Sequence, residues 1–434
     1  MARTRPRGKG ERAAHGGSGR PVRKKGGRGA REKRREDSAR VPAAPVPVVD
    51  PMPEVSSPRQ ESGFLSYVRS EFDTFERRPL CAVDSLVLSW IAYTRLPDAL
   101  FAACTPAGIG LRELLRAEDM PWMVRRTWDP ESSRDLLFAV CANPRFRDIR
   151  LADFCFRTDP GREEQFAAMT FLLPGGGVYV AFRGTDSTLV GWKEDFNMAA
   201  FCPVPSQTEA ARYLTEAIGR FEGPVYVGGH SKGGNLAIYA AAACGEALQT
   251  RIARVFSHDG PGFNDEFLAT EGFARIRGRV EKTVPKSTVI GVVMHDGDIR
   301  RTVVESEGVS AAQHNPFLWA VDGCAFREAD GLSVSSRSFD SLLDAWMEKY
   351  SYDERGAFID TLFGVVGATG AERFSDVRAD WRESLPVLRE AVDALEPEQR
   401  AFVVDALKAL ARTATVEKAA GAASGVLDRL LPSG

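Results

Sequence analysis

Val227-Gly-Gly-His-Ser-Lys-Gly-Gly-Asn-Leu236 is the stretch of sequence that decides the fold. Residues 229–233 within it fit the G-x-S-x-G pattern, in which a serine occupies a tight turn between a strand and a helix. Glycine is required on both sides of the serine because a Cβ atom there would collide with the neighbouring strand and helix. The apolar residues 224–227 predict the strand, and the Ala-rich residues 235–243 predict the helix. This context favours a reactive hydroxyl at Ser231.

The composition is that of a globular protein with an unusual first segment. The chain has 434 residues, 44% hydrophobic and 27% charged, which allows one large α/β domain with additions, or two domains. Residues 1–40 contain 15 Lys or Arg against four Asp or Glu, with few apolar side chains. We therefore expect residues 1–60 to be a disordered basic tail with a Pro-rich linker. Residues 61–334 would form the main domain and residues 335–434 a helical extension.

The basic residues 1–40 have two interpretations. Their charge would attract nucleic acid or an anionic membrane surface weakly, or they form a solvated extension without a partner. No apolar segment of a secretory signal follows the arginines, and no run of about 18 apolar residues predicts a transmembrane segment. The seven cysteines are scattered without a C-x-x-C pair, which predicts neither a disulfide framework nor a zinc site. We expect a cytoplasmic protein without a metal or another cofactor.

The segments around the motif predict an α/β sheet. Strands that alternate with helices are typical of a mostly parallel central sheet with helices on both faces, and helical sequence at the two ends predicts N- and C-terminal additions. Ligands of such sheets bind at the carboxyl ends of the strands. The sequence up to about residue 160 reads as mostly helical, and a helix is predicted over 206–221. The predicted strands are residues 166–173 and 178–182, which form a hairpin, and then 224–227, 254–257, 288–294 and 302–305.

A reactive serine needs an imidazole to accept its proton, and the chain has only five histidines. His15 lies in the basic tail, and His230 adjoins the serine, where its ring cannot turn back to its neighbour's hydroxyl. His258 and His295 each follow a predicted strand. His314 comes after the last strand, in a loop that can return over the sheet. Position therefore favours His314 as the general base, with His258 and His295 as alternatives.

The imidazole in turn needs a carboxylate to orient it. In enzymes with this motif, the acid follows the serine and precedes the histidine along the chain. The turn after the predicted fourth strand offers Asp296 and Asp298. We select Asp298, with Asp296 as the second choice, although Asp-Gly-Asp is also ordinary turn sequence. Asp259 and Asp265, which follow the preceding strand, stay open as alternatives.

Two N–H donors are needed to stabilise the oxyanion that forms during attack on a carbonyl. The backbone N–H of Lys232 is one candidate, because it follows the serine at a helix N-terminus. The segment Phe182-Arg-Gly-Thr185 comes directly after a strong apolar strand, so we expect the N–H of Thr185 to be the second. The alternative is a plain turn with Arg183 as a surface charge.

Phe182-Arg-Gly-Thr185 and Gly229-His-Ser-Lys-Gly233 together resemble the class 3, triacylglycerol lipase-like branch of the α/β-hydrolases. In that branch the first segment supplies an oxyanion-hole residue and the second carries the nucleophile. The chain is more similar to an uncharacterised bacterial family of lipase-like proteins, from about residue 66 to residue 319. The resemblance implies an α/β-hydrolase fold. Further matching segments are Cys81-Ala-Val-Asp-Ser-Leu-Val-Leu88, Gly191-Trp-Lys-Glu-Asp-Phe-Asn197, Asp259-Gly-Pro-Gly-Phe263 and Gln313-His314.

We therefore expect a serine hydrolase that cleaves a carboxylic ester of a lipid or another acyl compound. Ser231 would attack the carbonyl and His314 would move the proton, while Asp298 holds the imidazole and the N–H groups of Lys232 and Thr185 stabilise the intermediate. Transfer of the acyl group to an alcohol is a variant of this chemistry. The alternative is a non-catalytic hydrolase-like scaffold that binds a partner through its basic tail and C-terminal helices.

Overall fold

The computed structural model describes residues 63–103, 107–186, 188–308, 310–373, 376, 381–397, 399–401 and 403. The predicted tail and linker, and with them the expected contacts to nucleic acid or an anionic membrane, lie outside these residues. Within the described residues, every helix is too short or too polar to cross a membrane.

The centre of the fold is an eight-stranded sheet. Its strands, in chain order and in spatial order, are β1 (Ile109–Gly110), β2 (Arg150–Asp159), β3 (Glu164–Leu172), β4 (Val178–Phe182), β5 (Val225–His230), β6 (Ile252–His258), β7 (Val280–Pro285) and β8 (Arg301–Val304). The pairs from β1 to β4 are antiparallel, and those from β4 to β8 are parallel. The predicted α/β class, with a mostly parallel sheet, is confirmed. Its parallel part carries the serine motif.

Helices connect the strands and precede or follow them. Before the sheet's long strands come α1 (Phe64–Ser70), α2 (Ala82–Ile91), α3 (Asp98–Ala103), α4 (Met120–Val124) and α5 (Pro130–Ala142). Between β4 and β7 come α6 (Leu189–Asn197), α7 (Pro205–Arg220), α8 (Lys232–Ala243), α9 (Glu246–Gln249), α10 (Asp265–Leu268) and α11 (Glu271–Ile276). After β8 come the short strands β9 (Val321–Asp322) and β10 (Ala325–Phe326), then α12 (Val334–Lys349), α13 (Tyr352–Gly367) and a further helix over Trp381–Asp393.

Side chains alternate between the two faces of β4, and helices cover both faces. Val178, Val180 and Phe182 belong to a core that includes residues of α7 and α8. Tyr179 and Ala181 belong to a second core that includes residues of α1 and α2. All five side chains are buried, as expected for a central strand of an α/β sheet. The predicted helices on both faces are therefore present.

The predicted hairpin is confirmed, but the predicted fourth strand is wrong. β3 pairs with β4 as expected, whereas residues 288–294 form turns and the strand lies earlier, at β7. Thr288 Oγ1 accepts a hydrogen bond from Gly291 N–H (2.8 Å) and donates one to Asp259 Oδ1 (2.5 Å). These side-chain hydrogen bonds hold an apolar run in a loop instead of a strand.

β2 is a strand that the sequence analysis missed, because it treats the chain up to residue 160 as mostly helical. The strand pairs antiparallel with β3 over nearly its whole length. From Asp153 to its end at Asp159, its side chains are half-buried or exposed. Without a buried face along this half, the sequence lacks the apolar alternation that identifies a strand.

The C-terminal helices α12 and α13 pack against the main domain. Lys193 of α6 forms an ion pair with Asp360 of α13 (2.7 Å), and the Phe196 and Phe363 rings lie 5.6 Å apart. Arg355 Nη1 donates to the carbonyl oxygen of Ala199 (2.9 Å). Helix α13, which follows the predicted boundary, therefore contacts α6, which comes directly after the segment that contains Thr185.

Candidate active site

Ser231 lies at the turn between β5 and α8 with φ 59° and ψ −134°. A non-glycine residue with this backbone conformation is strained and is held by its surroundings. Its N–H donates to the carbonyl oxygen of His258 at the end of β6 (2.9 Å). A Cβ atom on Gly229 would collide with the backbone of Gly233, and one on Gly233 would collide with Phe182 O. The turn therefore needs both glycines, and it holds the half-buried serine at the carboxyl end of β5.

His314 lies at the end of a short 3₁₀ helix, Ser310–His314, and its ring is 4.6 Å from the ring of His230. His230 Nε2–H donates to the carbonyl oxygen of His314 (3.0 Å), and the Tyr93 hydroxyl donates to His230 Nδ1 (3.1 Å). Burial and the positive charge that His314 can carry lower the pKa of His230 well below its ordinary value, so its ring stays neutral. The residue before Ser231 thus fixes the loop that carries His314.

Asp259 is the carboxylate that His314 contacts. His314 Nδ1–H donates to Asp259 Oδ2 (2.6 Å), and Asp259 Oδ1 accepts the hydrogen bond from Thr288. Asp259 is fully buried and directly follows β6. Because Nδ1 is occupied, Nε2 is the ring nitrogen of His314 that is left to accept a proton. A histidine oriented in this way by a buried carboxylate is suited to general-base chemistry.

The prediction that Asp298 orients His314 is wrong. The Asp298 side chain is 81% exposed and forms an ion pair with Arg277 (2.7 Å). Asp296, the second choice, forms a buried ion pair with Lys282. The error follows from the misplaced fourth strand, since the Asp-Gly-Asp turn does not follow a strand next to β6. The carboxyl end of β6 itself holds the acid.

The other histidines and acids considered from the sequence lie elsewhere. His258 Nε2 is hydrogen-bonded to Ser85 Oγ of α2 (2.9 Å). Burial lowers the pKa of His258 to about 3, so this ring is neutral. Asp265 and His295 line a cavity of about 210 Å³ together with residues of α12 and α13. Among the described residues, no group of three or more His, Cys, Asp or Glu side chains could hold a metal ion.

The segment after β4 adjoins the serine. A Cβ atom on Gly184 would lie 3.0 Å from Ser231 Cβ and would collide with the Tyr93 hydroxyl, so only glycine permits this approach. The backbone N–H groups of Lys232 and Thr185 have no acceptor within the part of the chain that the structure describes. Their role as oxyanion donors stays a prediction.

Asp195 of α6 is a residue of this site that the sequence analysis missed. Its Oδ2 accepts a hydrogen bond from the Thr185 hydroxyl (2.5 Å), and its Oδ1 lies 3.8 Å from Lys232 Nζ. Burial raises the pKa of Asp195 to about 6, although Lys232 and the Thr185 hydrogen bond favour the charged form. Asp195 therefore positions the side chain of the residue that we expect to bind the oxyanion.

The side chain of Lys232 is fully buried in an ion pair with Glu194 of α6 (3.0 Å). Its Nζ also donates to the carbonyl oxygen (2.9 Å) and the side-chain oxygen (3.1 Å) of Gln165. Glu194 accepts further hydrogen bonds from the N–H groups of Gln165 (2.9 Å) and Ser206 (2.8 Å). The ammonium group therefore joins α8 to β3 and α6, and Lys232 offers a ligand only its backbone N–H.

Trp128 lies beside His314, and Trp192 lies beside Trp128. The ring of Trp128 is 6.2 Å from the His314 ring and 6.4 Å from the Trp192 ring. Trp128 is 42% exposed. Asn315 donates to Asp129 (3.3 Å), which joins the loop of Trp128 to the loop of His314. The two rings offer an apolar surface next to the candidate base.

A family model described as Mbeg1-like matches residues 140–364, which is more than half of the chain and includes Ser231, Asp259 and His314. The chain belongs to the Mbeg1-like family. No curated protein matches this Mbeg1-like chain. The expectation of a bacterial family related to class 3 lipases stays a prediction.

Two solved structures are similar to this Mbeg1-like chain. The Rhizomucor miehei lipase propeptide complex is 13% identical, with 67% of this chain and 78% of that chain covered and a TM-score of 0.33. The M37 lipase is 11% identical, with 80% of this chain and 97% of that chain covered and a TM-score of 0.33.

Proposed function

We propose that this Mbeg1-like protein is a serine hydrolase that cleaves a carboxylic ester through an acyl-enzyme. The observation that carries the proposal is the 2.6 Å hydrogen bond between His314 and buried Asp259, next to the strained turn of Ser231. A carboxylate in this place holds one imidazole tautomer and stabilises the imidazolium. Strain at a functional serine is typical of a nucleophile that the fold keeps exposed to its substrate.

In the proposed reaction, the Ser231 hydroxyl attacks the carbonyl carbon as His314 Nε2 accepts its proton. Asp259, in place of the expected Asp298, stabilises the imidazolium. The N–H groups of Lys232 and Thr185 donate hydrogen bonds to the oxyanion. The imidazolium then gives its proton to the leaving alcohol. Water, deprotonated by the same histidine, releases the acid and restores the serine.

The proposed substrate is a lipid or another acyl ester. Trp128 supports this class, because its ring offers apolar surface beside His314 and is extended by the neighbouring ring of Trp192. An alcohol in place of water would receive the acyl group from the same acyl-enzyme, so analysis of the products separates hydrolysis from acyl transfer.

A fluorophosphonate probe tests the proposal directly, since it reacts with activated serines. We expect the wild-type chain to be labelled at Ser231, as located by peptide mass, and Ser231→Ala to be unlabelled. Ser341→Ala is the matched control, because Ser341 is exposed and bonds only to the backbone of its own helix. Its labelling should equal that of the wild type.

A folded wild-type protein that takes no label would contradict the proposal. That result would favour the alternative, a non-catalytic scaffold that binds a partner. The basic tail on which this alternative partly depends lies outside the described residues.

A further inference from the structure

Four arginines lie around the segment that precedes Thr185, and the proposed reaction does not use them. They come from four separate parts of the chain: the residues after α2, the residues after α4, the end of β4 and the residues after α13. The four arginines are Arg95, Arg126, Arg183 and Arg373. We call them the arginine cluster.

Two members are fixed beside the serine through their neighbours in the chain. Arg183 directly precedes Gly184, which lies against both Ser231 and Tyr93. Arg95 follows Tyr93 by two residues. Arg183 is only 4% exposed, so it is not the surface charge considered as an alternative from the sequence.

The other two members reach the same place by backbone contacts. The N–H of Arg95 donates to the carbonyl oxygen of Met123 (2.9 Å), which brings Arg95 next to the segment of Arg126. Arg373 forms a β-bridge with Thr188, which follows the Arg183 segment. Burial and the repulsion of the neighbouring guanidinium groups lower the pKa values of Arg183 and Arg95, although both stay charged.

Several N–H groups of the cluster are buried without an acceptor. They are Arg95 Nη1, Arg126 Nε, and both Nε and Nη2 of Arg183, within the described residues. Aromatic rings cover the faces of two guanidinium groups: Trp122 lies 4.4 Å from Arg95 and Phe156 lies 4.5 Å from Arg183. The planes of these two guanidinium groups are therefore packed against rings, but several N–H groups at their edges have no acceptor among the described residues. Buried polar groups in folded proteins nearly always have partners, so these edges need an explanation.

Asp186 is the carboxylate that the described residues place beside Arg183 of this cluster. Its Oδ2 lies 3.6 Å from Arg183 Nη2, and its Oδ1 is engaged by the Thr188 hydroxyl (2.6 Å). No carboxylate of the described residues lies within 4.0 Å of Arg95 or Arg126. The cluster therefore keeps an excess of positive charge and of donors.

We propose that the arginine cluster is a binding site for a phosphate group next to the candidate nucleophile. A phosphate monoester carries a charge of about −1.5 to −2 and three strong acceptor oxygens, which match several convergent guanidinium groups better than one carboxylate does. In one respect this inference rests on the proposed function of Ser231, namely that the phosphate is part of the ester that Ser231 cleaves. Free phosphate is the other source of the same chemistry.

The first experiment measures binding without catalysis. Inorganic phosphate is titrated calorimetrically into the full-length Ser231→Ala protein in phosphate-free buffer, and we expect saturable binding. Adding Arg126→Gln should weaken the affinity about tenfold or more, since a charge-assisted hydrogen bond is lost. Arg77→Gln is the control, because the Arg77 side chain is 80% exposed and carries the same charge. It should change the affinity by less than about twofold.

Arg126 is half-buried, so the fold of each variant is checked by circular dichroism. Arg95→Gln, on a different segment, serves as the second variant and should weaken phosphate binding in the same way. Absence of saturable binding, or equal weakening by Arg77→Gln and Arg126→Gln, overturns the proposal.

The second experiment identifies the source of the phosphate. A monoacylglycerol and the monoacylglycerol phosphate with the same acyl chain are compared by kcat/KM. If the ester carries the phosphate, the wild type should prefer the phosphorylated ester by about tenfold or more, and Arg126→Gln should reduce the ratio of the two kcat/KM values to about twofold or less. Phosphate binding with equal hydrolysis of both esters supports a site for free phosphate.

The two proposals fail separately. If phosphate binds but neither ester is cleaved and no probe labels Ser231, the proposed function is wrong and the phosphate site stands. If the neutral ester is cleaved but phosphate neither binds nor improves the substrate, the hydrolase stands and the phosphate site is wrong.

Discussion

The two sides of the candidate active site differ in how their polar atoms are satisfied. One side contains Ser231, His314 and Asp259, and we call it the triad side. There, Asp259 accepts hydrogen bonds from both His314 and Thr288. On the other side, guanidinium groups of the arginine cluster keep buried N–H groups without an acceptor among the described residues. Because unsatisfied buried groups destabilise a fold, the contrast teaches that the hydrogen bonds of Asp259 are complete before a ligand arrives. In the phosphate-site proposal, a bound anion supplies the acceptors that the arginine side lacks.

The largest expected effect is a loss of catalytic rate, which tests whether Asp259 orients His314. Asp259→Asn should lower kcat for a chromogenic ester by about 10³- to 10⁴-fold, because the amide favours the wrong imidazole tautomer of His314. Asp298→Asn is the matched control, since that carboxylate is exposed and contacts only Arg277 among the described side chains. It should change kcat by less than about twofold. Equal losses in the two variants would show that His314 is not oriented by Asp259.

The next effect concerns stability on the same side. Lys232→Met should lower the free energy of unfolding by about 3–5 kcal/mol, because Glu194 would keep a buried charge without its cation. Lys286→Met is the control, since both side chains of the Lys286–Glu305 ion pair (3.6 Å) are exposed to solvent. It should cost less than about 1 kcal/mol. Urea denaturation measures both, and a similar small loss in the two variants would contradict the buried ion pair.

On the arginine side, removal of a charged side chain should stabilise the fold instead of destabilising it. Arg126→Gln should raise the free energy of unfolding by about 1 kcal/mol in phosphate-free buffer, because it removes one of several repelling charges. Added phosphate should then stabilise the wild type more than this variant, as binding to the folded state requires. Thermal unfolding with and without phosphate measures both effects. Destabilisation by Arg126→Gln in phosphate-free buffer would mean that the guanidinium already has a partner.

A further effect is a pH dependence at Asp195, between the two sides. Burial raises the pKa of this carboxyl from 3.8 to about 6. A group with a raised pKa in the folded chain stabilises it most below its ordinary pKa, and this contribution is lost as the pH rises through about 6. Asp195→Asn should therefore gain thermal stability relative to the wild type from about pH 4 to about pH 7. A difference that does not vary with pH would show that the pKa is not raised.

Features of the site that depend on local sequence could be predicted. Ser231 and its flanking glycines follow from one ten-residue stretch, because the steric demands of the turn act between neighbours in the chain. Thr185 follows from its place directly after an apolar strand. His314 was reached by elimination among few histidines, and the structure places its ring beside His230.

Features that depend on tertiary contacts could not be predicted. An apolar run such as residues 288–294 reads as a strand, and only its contacts with Asp259 and Ser336 show that it is a loop. That misreading moved the expected acid to Asp298. The alternative interpretation of Arg183 as a surface charge is wrong for the same reason, since its sequence neighbours do not reveal the chain that buries it.

The ring of His230 works as a spacer between two distant parts of the chain. It separates the nucleophile's turn from the backbone of His314, 84 residues later, by the width of one imidazole held between Tyr93 and a carbonyl oxygen. The His314 backbone is therefore tied to the nucleophile's turn by a side chain, whatever the length of the intervening polypeptide. A change of loop length between α8 and His314 would leave this contact in place as long as β6 still presents Asp259 to the His314 ring.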